Sequence, residues 1–109
     1  MNVLFLPEVQ EYYDNLEQIL YEKEYFSFLD SSKKYVKELI NDIKENLPIR
    51  QHNPAPNYFN KYGKDMEYAI FRKNKNTTWY AFFTTYRKNG ETIYLVRYIA
   101  NNHTVAQYL

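Results

Sequence analysis

His103, Arg97, Lys61 and Lys64 are the side chains whose type and setting in this sequence point to chemistry. His103 is one of two histidines and sits where the last apolar run gives way to a polar tail. Imidazole titrates near neutrality, which suits it to passing a proton. Arg97 interrupts the run Ile93-Tyr94-Leu95-Val96-Arg97-Tyr98-Ile99. An arginine within a strand needs a partner or an open face, and its planar fork fits a phosphate. Lys61-Tyr62-Gly63-Lys64 reads as a basic turn whose two ammonium groups could rest on phosphates. The chain has no cysteine, which excludes thiol nucleophiles, disulfides and thiolate metal sites. His52 lies in a proline-rich stretch with no further ligand at a metal-binding spacing.

The elements that must carry these residues are legible from period and punctuation. Met1 to Leu6 has the character of a short strand. Pro7 opens a helix at the position where a missing N–H costs nothing. Val9, Tyr12, Tyr13, Leu16, Ile19 and Leu20 recur at helical spacing, and the helix is expected to end near Tyr25. Asp30, Ser31 and Ser32 offer an N-cap for a second helix. Its apolar stripe is Tyr35, Val36, Leu39, Ile40, Ile43 and Leu47, and Pro48 stops it. The two helices are expected to form an antiparallel hairpin. Pro48 to Asn57 carries three prolines and no period, so it is expected to be a loop.

Three strand patterns follow: Met66 to Arg72, Thr77 to Tyr86, and Thr92 to Ala100. Asn89-Gly90 between the last two is a strong hairpin signal, because both residues tolerate positive φ. The fold class is therefore α+β, an N-terminal helical hairpin packed on a C-terminal antiparallel meander, as a single domain over residues 1–109. The tail from Asn101 is expected to be irregular or to end in a short element. Strand alternation places Arg97 on the face of Leu95 and Ile99, away from Tyr94 and Tyr98. If that face packs on the helices, Arg97 is buried and no clamp can form.

Composition narrows the class. Hydrophobic content of 45% and charged content of 25% are ordinary for a globular domain. No apolar run approaches the ~20 residues of a membrane helix. The N-terminus lacks the basic start and apolar length of a signal peptide, so a cytoplasmic protein is expected. Thirteen tyrosines suit a shallow core that reaches the surface, or a face that stacks on bases. The net charge of +1 conceals an asymmetry: residues 1–49 hold five lysines against ten acids, and residues 50–109 hold nine basic residues against three acids. A polyanionic partner for the second half is one reading, and an acidic helical layer packed beside a basic sheet is the other.

Two helices, then a three-strand meander and a polar tail, in a chain of this length, resemble the RelE/ParE toxin superfamily. The closest local matches are MEYAIFR (66–72), TTWYAFF (77–83) and YLVRYIANNHTVAQYL (94–109). The resemblance covers about half the chain, residues 58–109, and the helical half agrees in layout. It implies the toxin of a bacterial type II toxin–antitoxin pair, with a cognate antitoxin as partner. Members similar to RelE cut messenger RNA on the translating ribosome, without metal or cofactor. Members similar to ParE act on gyrase. A non-catalytic binding domain of the same architecture is the remaining alternative. For an RNA-cutting member, the resemblance places catalytic roles on Arg72, Arg97, His103 and Tyr108, with Lys61 and Lys64 on the RNA path. The sequence departs from the family pattern at Trp79-Tyr80-Ala81, where many relatives carry an arginine, and at Asn101-Asn102-His103, where many carry a basic pair.

Overall fold

The structure, a computed structural model, describes residues 2–22 and 29–109, without the side chains of 29 and 30. Strand β1 (Asn2–Phe5) leads into helix α1 (Pro7–Glu22), and helix α2 (Leu29–Asn46) follows. A short strand β2 (Asn53–Pro54) precedes the meander of β3 (Glu67–Asn74), β4 (Thr77–Lys88) and β5 (Glu91–Asn101). One turn of helix, α3 (Asn102–Val105), and a 3₁₀ turn end the chain. The five strands form one mixed sheet in the order β1-β5-β4-β3-β2, with β1 parallel to β5 and the other neighbours antiparallel. This is an α+β fold with the helices before the main sheet. Among the described residues no helix is long and apolar enough to cross a membrane.

The helical period has the consequence it must. Val9, Tyr13, Leu16 and Leu20 of α1 and Val36, Leu39 and Ile43 of α2 turn inward together. They pack on one sheet face, against Ala69, Phe71, Trp79, Ala81, Phe83, Tyr94, Val96 and Ile99. Leu39, Ile43, Phe71 and Phe83 are fully buried there. Trp79 is also enclosed, and its indole N–H donates to the Tyr35 hydroxyl at 2.8 Å, which satisfies its one polar atom. Helix α2 begins at Leu29, so Ser31 and Ser32 lie in its first turn rather than ahead of it. Amides of a first turn lack partners within the helix, so polar residues are tolerated on either side of the boundary. The expected end of α1 at Tyr25 lies outside the described residues.

The opposite face carries its own cluster. Phe59, Met66, Phe82, Ala100 and Val105 are buried there, and Tyr62, Tyr68, Tyr80 and Tyr98 pack around them. The segment 57–61, a 3₁₀ turn, lays Phe59 on Phe82 with ring centroids 4.4 Å apart. The stretch 48–57, expected to be a loop, thus contains a two-residue strand, and the covering turn 57–61 follows it. Asn53 and Pro54 pair with Tyr68 and Glu67 at the sheet edge, where a proline removes no ladder hydrogen bond.

The β4–β5 hairpin closes as its sequence dictates. Asn89 and Gly90 take φ of 52° and 79°, and Lys88 faces Glu91 across a two-residue turn. Farther along, the register slips. Phe82 pairs with Tyr98 but Phe83 pairs with Val96, so Arg97 is an extra residue, a β-bulge. The bulge corrects the expectation from strict alternation. Tyr94 and Val96 face the helices before it and Ile99 faces them after it, whereas Tyr98 joins the other face. Arg97 keeps the open side that Leu95 occupies, and the inserted residue resets alternation by one, so that Tyr98 joins Arg97 there and Ile99 turns to the helices.

Candidate functional site

Arg97 leaves the bulge across the open sheet face. Its Nε donates to the Thr84 hydroxyl at 2.9 Å, and one terminal nitrogen donates to the Tyr86 hydroxyl at 2.7 Å. Both partners alternate outward from β4, on the same side as Tyr80 and Phe82. The arginine stem passes over Gly63: a Cβ at that position would stand 2.6 Å from Arg97 Cδ. Glycine is required there by close approach, and this approach fixes where the guanidinium lies. Hydrogen bonds from Thr84 and Arg97 to its oxygen hold the Tyr86 phenol below the usual tyrosine range.

Beside this network runs a cleft of about 710 Å³ between α1 and the second half of β5. Val9 and Tyr12 form its helical wall, Tyr98 and Ala100 its sheet wall, and Arg97 and Lys61 bring positive charge to it. Two parallel tyrosine pairs stand at its rim. Tyr62 stacks on Tyr98 at 3.8 Å, and Tyr58 stacks on Tyr108 at 3.6 Å. Lys61 Nζ lies 4.2 Å from the Tyr58 ring and 5.4 Å from the Tyr62 ring, so one cation serves both pairs. The Tyr108 hydroxyl and the Lys61 ammonium beside its oxygen lower the pKa of Tyr58, and the same contact with Tyr58 raises that of Tyr108. Burial raises Tyr98, helped by the neighbouring Tyr62 oxygen.

The six residues singled out from sequence fall into three groups. Lys61 and Arg97 share the cleft, and Tyr108 joins them through its stack on Tyr58. His103 is exposed at the start of α3, one residue before Thr104, which lines the cleft; Lys64 is exposed just past Gly63. Arg72 stands apart. It pairs with Thr78 at one end of β4, whereas Arg97 is held at Thr84, six residues farther along, about 20 Å at strand rise. Arg72 lines a different hollow, with Arg50 and Tyr68. The four residues given catalytic roles therefore do not converge on one point.

Several participants escaped the sequence reading. Tyr86, Tyr58, Tyr62 and Tyr98 were part of an undifferentiated aromatic surplus, Thr84 was one β-branched residue of a strand pattern, and Arg50 sat in the presumed loop. The available signal was Gly63, one of two glycines in the chain, inside the stretch read as a basic turn. His52 is a packing residue: Nε2 donates to the Leu47 carbonyl at 2.8 Å, and the ring stands edge-on to Phe83 at 4.8 Å. No family model, no curated protein and no solved structure matches this chain.

Proposed function

We propose that this chain is the toxin of a type II toxin–antitoxin pair and that it holds and cuts messenger RNA on its open sheet face. The observation that carries the reading is the bulge at Arg97, which sets a guanidinium and Tyr98 side by side on a face rich in tyrosines. Aromatic platforms beside cations are what single-stranded RNA needs: bases stack on the rings and phosphates meet the charges. Lys61, between two stacked tyrosine pairs, supplies the second cation. In this reading the 2′-oxygen attacks the neighbouring phosphorus and the bond to the 5′-oxygen breaks. Tyr86, as the phenolate that its hydrogen-bond donors favour, takes the 2′ proton, Arg97 offsets the charge that grows on the phosphoryl oxygens, and His103 or water protonates the leaving oxygen. The translating ribosome presents the message, and a cognate antitoxin silences the face.

A second reading has one observation in its favour. Arg72 lies about 20 Å from the Arg97 network at strand rise, so the expected four-residue constellation is not assembled. A gyrase-directed toxin or a non-cutting binder of the same fold needs no such convergence. Inducing the chain in a bacterial host and mapping new RNA 5′ ends separates the readings. Growth arrest with discrete cuts inside coding regions, lost in Arg97→Gln, is expected. Arrest without cuts would move the function to another target, and healthy growth with a folded, abundant protein would reject the toxin reading.

A further inference from the structure

The hollow that holds Arg72 has a chemistry of its own. It measures about 470 Å³ and is lined by Arg50, Gln51, Asn53, Tyr68, Ile70 and Arg72. That size is in the range of small-ligand sites. Tyr68, Ile70 and Arg72 project outward from β3 at alternate positions, so the floor runs from an aromatic ring through an aliphatic side chain to a cation. The opposite wall is the chain around β2. Asn53 pairs with Tyr68, but β2 is only two residues long, and among the described residues the β3 edge beyond Tyr68 has no strand partner on that side.

The polar groups are arranged for a composite ligand. Among the described residues Arg72 has no side-chain partner. Arg50 closes one end of the hollow, but its guanidinium is held toward the helices, 5.1 Å from the buried Phe71 ring and 3.4 Å from Asp42 of α2. Gln51 Nε2 donates to Asn53 Oδ1 at 3.3 Å. That bond consumes one donor and one acceptor of the amide pair. A free acceptor remains on one residue and a free donor on the other, whichever way the two amides are turned. Adjacent amide donor and acceptor groups match the edge of a nucleobase, an unpaired guanidinium matches a phosphate, and a tyrosine ring matches a base plane.

We infer that the hollow between β2 and the outward face of β3 is a nucleotide site, in which Arg72 takes the phosphate, Gln51 and Asn53 read the base edge, and Tyr68 supports the ring. The inference deepens the RNA reading by giving the strand a second hold about 20 Å from Arg97. Recognition of a nucleotide by these residues does not depend on toxicity or cutting. The same chemistry is offered by a free nucleoside monophosphate and by one unit of an RNA strand.

Side-chain amide signals of Gln51 and Asn53, followed by NMR while nucleoside monophosphates or short single-stranded RNAs are added to the whole chain, test the site. Saturable shifts with both ligands support a site open to free nucleotides. Shifts with RNA alone support a site for a unit within a strand. In either case Arg72→Gln should weaken binding about tenfold for all bases, while Gln51→Ala should change the ranking among bases. Signals that stay fixed at saturating concentrations of both ligands would overturn the proposal. Growth of the induced host does not enter this readout, so a failure of the toxin reading and a failure of the nucleotide site are told apart.

Discussion

The two faces of one sheet follow different rules. The helix-covered face is closed by aliphatic and aromatic side chains; of its few buried polar atoms the Trp79 N–H is paired with Tyr35, whereas the Tyr13 hydroxyl has no hydrogen-bond partner among the described residues. The open face is built largely of tyrosines, threonines and cations, with Phe59 and Phe82 as a small buried centre. Apolar burial on the first face supplies the bulk of the folding free energy, at roughly 25 cal/mol per Å². The second face gives up part of that gain to keep hydroxyls and guanidiniums at the surface. A side chain that is half-buried and half-wet is what a tyrosine provides, which accounts for the abundance of that residue.

Substitutions sharpen the contrast. The largest expected effect on folding is on the closed face: Leu39→Ala should lower unfolding free energy by about 2–5 kcal/mol in urea denaturation, because Leu39 is wholly enclosed between α2 and the sheet. A loss below ~1 kcal/mol would mean that the helices hardly grip the sheet. Gly63→Ala on the open face should cost about 1–2 kcal/mol, since the new Cβ must displace the Arg97 stem or Met66. It should also weaken RNA binding more than its stability loss explains, and unchanged binding would show that the Arg97 position is unimportant.

The smallest effect at neutral pH is in tyrosine titration. Tyr86 and Tyr58 are lowered by their hydrogen-bonding neighbours, whereas Tyr12, Tyr13, Tyr35 and Tyr98 are raised chiefly by burial. A phenol raised in the folded state contributes stability that is fully present below its unfolded value, about 10, and is lost as pH climbs past it. The two lowered phenols act in the opposite sense, contributing above their unfolded value, but they are exposed and weak. Stability should therefore hold to about pH 10 and fall beyond it. Phenolate absorbance should rise in two stages, an early one without unfolding and a late one coincident with loss of circular dichroism. A single stage would erase the distinction between the faces.

Much of this frame was legible beforehand. The helices announced themselves by period, the hairpin by Asn89-Gly90, and the order helix, helix, meander by the sequence of patterns. Two features were not. β2 is two residues long and contains Pro54, so it has neither alternation nor β propensity to show. The bulge hides because Thr92 to Ala100 reads as one continuous strand pattern, with Arg97 as its single charged residue. The slip exists only in the pairing with β4, a long-range relation that no local window contains. The site suffered most: the residue types were visible, but the distance between Arg72 and Arg97, and the tyrosine pairs around Lys61, depend on how separate segments meet.

The central claim is that the open face around Arg97 is the working surface. Its most direct test is the affinity of the purified chain for a labelled single-stranded RNA at two salt concentrations, with Arg97→Gln beside Lys37→Gln, which removes an exposed charge from α2. The account expects Arg97→Gln to bind about tenfold more weakly with a salt slope reduced by about 0.7, and Lys37→Gln to bind as the parent does. Equal losses in the two variants, or none in Arg97→Gln, would contradict it.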